Sequence, residues 1–302
     1  MENLFTDPFN ILLIAAFIGF FMAFGIGAND VANSMGTSVG ARALTIKQAI
    51  LIAAVFEFLG AFLAGGEVTS TIRKGIVDPN LYTDQVNIFV IGMMSALLAG
   101  GTWLYIASLR GWPVSTTHSI VGAIIGFVLI TKGVDAVSWG KVSNIAMSWV
   151  TSPLFSGILA FSLYISAKKL ILDRANPGKA AITFIPFYSF LVAVVISLVT
   201  ARKGLKHVGI EWTENEVYLF TFIFSIVVAI GTSYFLRRNK EKINGVGGIE
   251  FAFGLLMIVS ASAMAFAHGS NDVANAIGPL AAIVSVVDTG TVGSKATISP
   301  WV

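Results

Sequence analysis

The chain of 302 residues contains no cysteine, which excludes disulfides, thiolate catalysis and cysteine-ligated metal centres. Charge is scarce. Asp, Glu, Lys and Arg make up 12% of residues, against roughly 25% in soluble domains. No GxxxxGK(S/T) phosphate loop occurs, which disfavours a primary pump. No basic stretch precedes the first apolar run and no cleavage site follows it, so that run reads as a retained helix and not a signal peptide. What is abundant is hydrophobic: 56% of residues, with a mean hydropathy of +0.83. Runs of about 20 apolar residues place the chain in the helical membrane class. The net charge of +3 is no nucleic-acid signal, because the basic residues sit in loops instead of forming one face.

Apolar spans are expected at Phe9–Gly27, Thr45–Leu63, Ile88–Ser108, Trp112–Ile130, Val142–Ile165, Ile182–Thr200, Val217–Leu236 and Ile249–His268. A ninth run, Pro279–Val287, is too short to cross a core of about 30 Å at 1.5 Å per residue. Lipid offers backbone groups no partners, so the spans are helices. With simple alternation, the loops after odd-numbered spans carry eleven Lys and Arg, from Arg42 to Lys242, and the opposite loops seven. The positive-inside bias therefore puts the N-terminus outside the cytoplasm of a cell-membrane protein.

Within this apolar background one stretch occurs twice. Met22 to Gly36 (MAFGIGANDVANSMG) and Met264 to Gly278 (MAFAHGSNDVANAIG) agree at ten of fifteen positions, at a constant offset of 242. Each closes a long apolar run with an acid, and a carboxylate at that depth reads as functional. The copies end spans one and eight, so they cross in opposite directions. Inverted repeats with interrupted helices mark secondary transporters. The fold expected is therefore all-α and polytopic, with inverted-topology repeats and interrupted or re-entrant helices. Residues 1–171 form the first repeat, 172–248 the connecting helices and cytoplasmic loop, and 249–302 the start of the second repeat.

Glycines at 25, 27, 36 and 40 weaken a continuous helix, while Asn, Asp, Ser and Thr compete for backbone hydrogen bonds. An unwound stretch over Gly27–Ser38 would expose carbonyls beside Asp30 and the Asn29, Asn33 and Ser34 oxygens. That all-oxygen set suits a hard cation such as sodium. A glycine-rich packing face with polar contacts is the alternative. The second constellation is GWPVSTTHS, Gly111 to Ser119. Proline and hydroxyls read as a helix start, whose free N–H groups and dipole make an anion site or an ordinary cap. Ser115, Thr116 and Thr117 could there hold phosphate oxygens. Glu57 is mid-span with no Lys or Arg nearby in its helix, a functional acid or a neutral structural one. Gln48 at a helix start is a ligand or an interfacial residue. His118 relays protons or donates to a carbonyl. No Lys or Arg lies deep in a span, so a bound anion must be neutralised by helix N-termini and co-bound cations.

The two GxNDVAN copies and GWPVSTTHSIVGAIIG resemble the inorganic phosphate transporter (PiT) family over nearly the whole chain. The resemblance implies phosphate import with sodium, or with protons in some branches, through inverted repeats of about twelve helices. It places Asn29, Asp30, Asn33, Asn271, Asp272 and Asn275 in the cation and phosphate sites, with Ser115 to Thr117 near phosphate and Glu57 tied to transport. On this reading sodium sits at Asp30 and Asp272, with Asn29, Ser34 and Asn271 as further cation ligands. Asn33, Asn275 and Gln48 join Ser115, Thr116 and Thr117 at phosphate, and Glu57 and His118 are the coupling candidates. Sodium is a co-substrate and no cofactor is expected. The lipid bilayer is the other partner, nucleic acid is not, and a homo-oligomer is compatible. A proton-coupled phosphate or metal-phosphate symporter is the alternative. A membrane-embedded hydrolase using Ser115 or Thr116 with His118 is the alternative of another class, and an anion channel lacks a basic pore ring. One departure stands out. The family has a second PVSTTH-like segment, which equal spacing would put near position 355, so roughly 100 further residues are expected to complete the second repeat.

Overall fold

The computed structural model describes residues 7–65, 78–204, 212–244 and 247–292. Nine α-helices and no strand occur among the described residues. They are α1 (Pro8–Gly40), α2 (Ile46–Ala64), α3 (Val86–Arg110), α4 (Thr116–Lys132), α5 (Trp139–Ala167), α6 (Pro177–Val199), α7 (Glu214–Arg238), α8 (Lys240–Asn244) and α9 (Gly248–Thr289). Seven of these are long and apolar enough to cross a membrane: α1, α2, α3, α5, α6, α7 and α9. The protein is therefore multi-pass and all-helical.

Three expectations need correction. The fourth span is a 17-residue helix, about 25 Å long and short of a 30 Å core, so it is not a full span. The short run at Pro279 is not separate; it continues α9, a single helix of 42 residues with Pro279 inside. The expected unwinding over Gly27–Ser38 is absent, and α1 is helical from Pro8 to Gly40. Asn29 and Asn33 find partners other than their own helix backbone. The Arg73 and Lys74 loop and the C-terminal Ser299–Val302 lie outside the described residues.

Two compact units divide the chain. The first comprises residues up to Asn33, Glu57–Asn144 and from His268 onward. In it, glycines let helix backbones approach closely. A Cβ on Gly101 of α3 would lie 2.8 Å from Phe21 Cδ1 and 3.2 Å from Met22 Cα of α1, and one on Gly25 3.0 Å from Leu104 Cβ. α3 ends in a left-handed Gly111 (φ 66°), with Trp112 N–H donating to Ala107 O. The chain then turns through Pro113 into α4, whose N-terminus Ser115 caps by accepting the His118 N–H at 3.2 Å. The far end of this hairpin is closed by Tyr82. Its ring stacks on Phe127 at 5.2 Å and its hydroxyl meets Thr131 Oγ1 at 2.6 Å.

The second unit comprises Ser34–Phe56 and Ile145–Ala267. Its core joins Ile171, Ala181, Ile185, Tyr188, Leu236, Ile243 and Ala252. α6 starts on an Asn176 cap with Pro177 at its first position. α7 starts on a capping box between Thr213 and Glu216.

Candidate functional site

The first copy up to Asn33 and the second from His268 come together within the first unit. Gly19 of α1 faces Leu280 of α9, where a Cβ would lie 3.2 Å from Leu280 Cδ2. Eleven residues further along α1, Asp30 interacts with Asp272, eight residues back along α9. The two helices thus pass antiparallel, and their Asp residues meet.

Thr116, the first residue of α4, is the link between the copies. Its hydroxyl hydrogen-bonds the Asp272 carboxylate at 3.3 Å and also reaches the Asp30 carboxylate. Asn275 Nδ2 donates to Thr116 Oγ1 at 3.1 Å, to Thr117 Oγ1 at 3.2 Å and to Asp272 Oδ1 at 3.3 Å. Asn33 repeats the last contact in the first copy, donating to Asp30 Oδ1 at 3.2 Å. Each Asp is therefore held by the amide one helical turn on. Thr116, Asp30 and Asn275 are buried, whereas Ser115 and Asn33 are exposed.

Asn29 does something different. Its Nδ2 donates to the Trp112 carbonyl at 3.0 Å and to Ser108 Oγ at 3.4 Å, and its Oδ1 accepts the Val114 N–H at 3.2 Å. Both ends of the amide are spent on the α3–α4 turn, so Asn29 fixes where the α4 N-terminus sits. Its repeat partner Asn271 is exposed.

Glu57 enters from α2, and its charge acts on both Asp30 and Asp272. The Glu57 backbone packs directly on Gly269, where a Cβ would lie 2.0 Å from Glu57 O. His268 interacts with Asp272. His268 stands where the first copy has Ile26, so the repeat itself does not single it out. Its position one turn before Asp272 was the available signal. Ser108 and the Trp112 carbonyl carried no signal of their own.

Ser34 and Gln48 belong to the other unit. Ser34 is buried. The Gln48 carboxamide accepts from Thr45 N at 3.0 Å and Thr45 Oγ1 at 2.9 Å, closing the start of α2. His118 is exposed.

Three acids thus share one small region, and the groups interacting with them include no Lys or Arg. Buried side-chain atoms without a hydrogen-bond partner concentrate in the same place: Asp30 Oδ2, Glu57 Oε1, Asn275 Oδ1 and His268 Nδ1, with Thr221 Oγ1 elsewhere. Each such atom costs about 1–3 kcal/mol, and four together point to a ligand rather than to packing. Pro279 adds a fifth acceptor. It has no N–H, so the carbonyl of Asn275, four residues earlier in α9, lacks its helical donor. One carbonyl beside the motif thus loses its helical donor, through a proline just after the second copy and not through glycine unwinding in the first. No group of three His, Cys, Asp or Glu side chains converges tightly enough to chelate a metal among the described residues. The oxygens gathered here are instead those of carboxylates, amides, a hydroxyl and a carbonyl, a donor set that suits a hard cation.

An antiparallel pair of acid-bearing helices around a short helix N-terminus is the arrangement of a membrane transporter for ions. Comparison with known proteins agrees. The model of the phosphate transporter family matches residues 26–302. A phosphate permease of Haemophilus influenzae is 48% identical over 297 residues, covering 96% of this chain and 70% of that protein. The chloroplastic inorganic phosphate transporter 2-1 of Arabidopsis thaliana is 39% identical over 301 residues, covering 93% of this chain and 51% of that one. Among solved structures, a sodium-dependent phosphate transporter superposes with a TM-score of 0.87 at 41% identity, over 96% of this chain and 71% of that chain. The chain belongs to the phosphate transporter family.

Proposed function

We propose that this protein imports inorganic phosphate together with sodium by alternating access in the cell membrane, with its N-terminus outside the cytoplasm. The observation that carries the reading is the Thr116 hydroxyl, buried between two carboxylates at the N-terminus of α4. A cation between Asp30 and Asp272 would take Asp30 Oδ2, Asn275 Oδ1 and the Asn275 carbonyl. Phosphate would take the free N–H groups and dipole of α4 with Ser115 and Thr117. Neither ion binds well without the other: three acids repel an anion, and among the described residues no Lys or Arg acts on these acids to offset them. Asn29 acts through the α3–α4 turn, and Glu57 and His268 adjust the charge around the cation. A proton-coupled reading draws on one observation, the unpartnered Glu57 Oε1 and His268 Nδ1. The hydrolase reading lacks support of this kind, because Ser115 Oγ accepts the backbone N–H of His118 as a helix cap.

Radiolabelled phosphate uptake into proteoliposomes under a sodium gradient, a proton gradient or neither is the test. Sodium alone should drive uptake. Uptake driven equally by protons without sodium would transfer the coupling role to Glu57 and His268, and no uptake under any gradient would sink the proposal.

Thr116 and Ser115 are expected to differ. Thr116→Val keeps the shape but removes a hydroxyl shared by both acids. It should raise the sodium and the phosphate requirement together, by roughly 10- to 100-fold for a bond to a charged group worth about 1.5–3 kcal/mol. Ser115→Ala should raise mainly the phosphate requirement and cost about 1 kcal/mol of stability through the lost cap. Sodium and phosphate titrations of phosphate binding separate the two. Ser115→Ala changing sodium dependence alone would reverse the assignment.

A further inference from the structure

A cavity of about 340 Å³ lies within the second unit, between α6, α7 and the first half of α9. Its walls are apolar, with Ala193, Ile196, Val228 and Leu255 among them and only Ser189 and Thr232 carrying hydroxyls. It runs from Ile185, Phe235 and Ala252 to Ile196, Phe224 and Val259. That is eleven residues along α6, roughly 16 Å at 1.5 Å per residue, parallel to the helices. Ile185 lies eight residues after Pro177, and Phe235 three before Arg238, so one end lies toward the helix termini.

Those termini carry the densest positive charge in the chain. Lys168, Lys169, Arg174, Lys179, Arg237, Arg238, Lys240 and Lys242 are all exposed, against Asp173, Glu241 and Glu250 as the acids of the same turns. An apolar slot along the helices with a basic rim at its mouth has the two-part chemistry of an anionic amphiphile. We propose that the slot is a binding site for an anionic glycerophospholipid, its acyl chain between α6, α7 and α9 and its phosphate on the basic rim. A zwitterionic lipid matches the slot but not the rim. A soluble anion matches the rim but not the slot.

The test uses the purified protein in phosphatidylcholine liposomes with trace chain-spin-labelled phosphatidylglycerol or phosphatidylcholine. The motionally restricted fraction of each lipid reads its association. Phosphatidylglycerol should associate about three- to tenfold more strongly, and 0.5 M salt should shrink that preference. Replacing Arg237, Arg238 and Lys242 together by Gln should abolish it. Gly231 borders the slot, and a Cβ there meets no atom within 4 Å. Gly231→Trp should therefore displace the restricted chain of both lipids while leaving sodium-dependent phosphate binding unchanged. Val228→Trp, which fills the slot from the same helix, gives the same reading if the first variant folds poorly. Equal association of the two lipids in the parent protein would overturn the proposal. So would an unchanged restricted fraction in both Trp variants. Gly231→Cys provides the only thiol in a cysteine-free chain. Disulfide dimers through it would show that a second copy, and not a lipid, covers the slot.

Discussion

Asp272→Asn is expected to abolish the sodium dependence of phosphate binding and, in sodium-free buffer, to raise the thermal midpoint. Asp30→Asn should do the same. Both effects come from the convergence of Asp30, Asp272 and Glu57 with no described Lys or Arg among the groups acting on them. A monovalent cation about 4 Å from one carboxylate gains about 4 kcal/mol at an effective dielectric near 20. Allowing for the amide oxygen that replaces it, losing one carboxylate costs on the order of 2–4 kcal/mol, or about 30- to 1,000-fold in sodium affinity. Without sodium the same carboxylate is a liability, because it repels two others in a region shielded from water. The paired readouts separate this account from simple damage: a misfolded variant would lower the sodium-free midpoint, not raise it. Sodium stabilisation and sodium-dependent phosphate binding are both measured by titration on purified protein. Wild-type sodium dependence in both variants would remove the cation from these residues. Glu57→Gln offers an internal comparison, since it relieves the same repulsion but deletes an oxygen on a third helix.

The positions of the long helices were legible because lipid enforces one rule, an unbroken apolar run, over some 20 residues. The cap at Ser115 was legible for a similar reason: Pro113 and the hydroxyls have few other uses in that order. The duplicated motif singled out Asp30 and Asp272, and the charge of Asp272 acts on Asp30. What remained hidden depended on partners far away in sequence. Glycines around Asp30 read as a broken helix, yet Gly25 serves close packing on Leu104. Asn29 is satisfied by Ser108, Trp112 and Val114, some 80 residues on. Polar side chains with such partners no longer compete with their own helix. The single helix through Pro279 was hidden for the opposite reason, since a proline that would end a soluble helix is tolerated where neighbouring helices surround it. Asn29 and Asn271 match in sequence, but among the described residues Asn29 holds the α3–α4 turn while Asn271 is exposed.

That inequality between the copies gives the other large expected effect. Gly27 and Gly269 occupy the same place in the repeat, two residues before each Asn-Asp pair. Their surroundings differ. A Cβ on Gly27 meets nothing within 4 Å, whereas one on Gly269 would lie 2.0 Å from Glu57 O, 2.6 Å from Glu57 C and 2.7 Å from Glu57 Cα. All three are backbone atoms, so no side chain can swing aside; the end of α2 and α9 must move apart. Overpacking of this kind costs typically 1–3 kcal/mol, and more where backbone must shift. The displaced element carries Glu57 away from Asp272, so the loss should reach function as well as stability. Gly269→Ala is therefore expected to lower the unfolding midpoint and weaken sodium-dependent phosphate binding at least tenfold. Gly27→Ala sits inside a continuous helix with open space around it, and should be neutral or stabilising by up to about 1 kcal/mol from helix propensity. Thermal unfolding in detergent and phosphate binding on the two variants side by side decide the matter. Equal damage from both would mean that the copies are packed alike and that Gly27 has a close neighbour. Parent-like behaviour of Gly269→Ala would mean that Glu57 does not rest on α9 at that point.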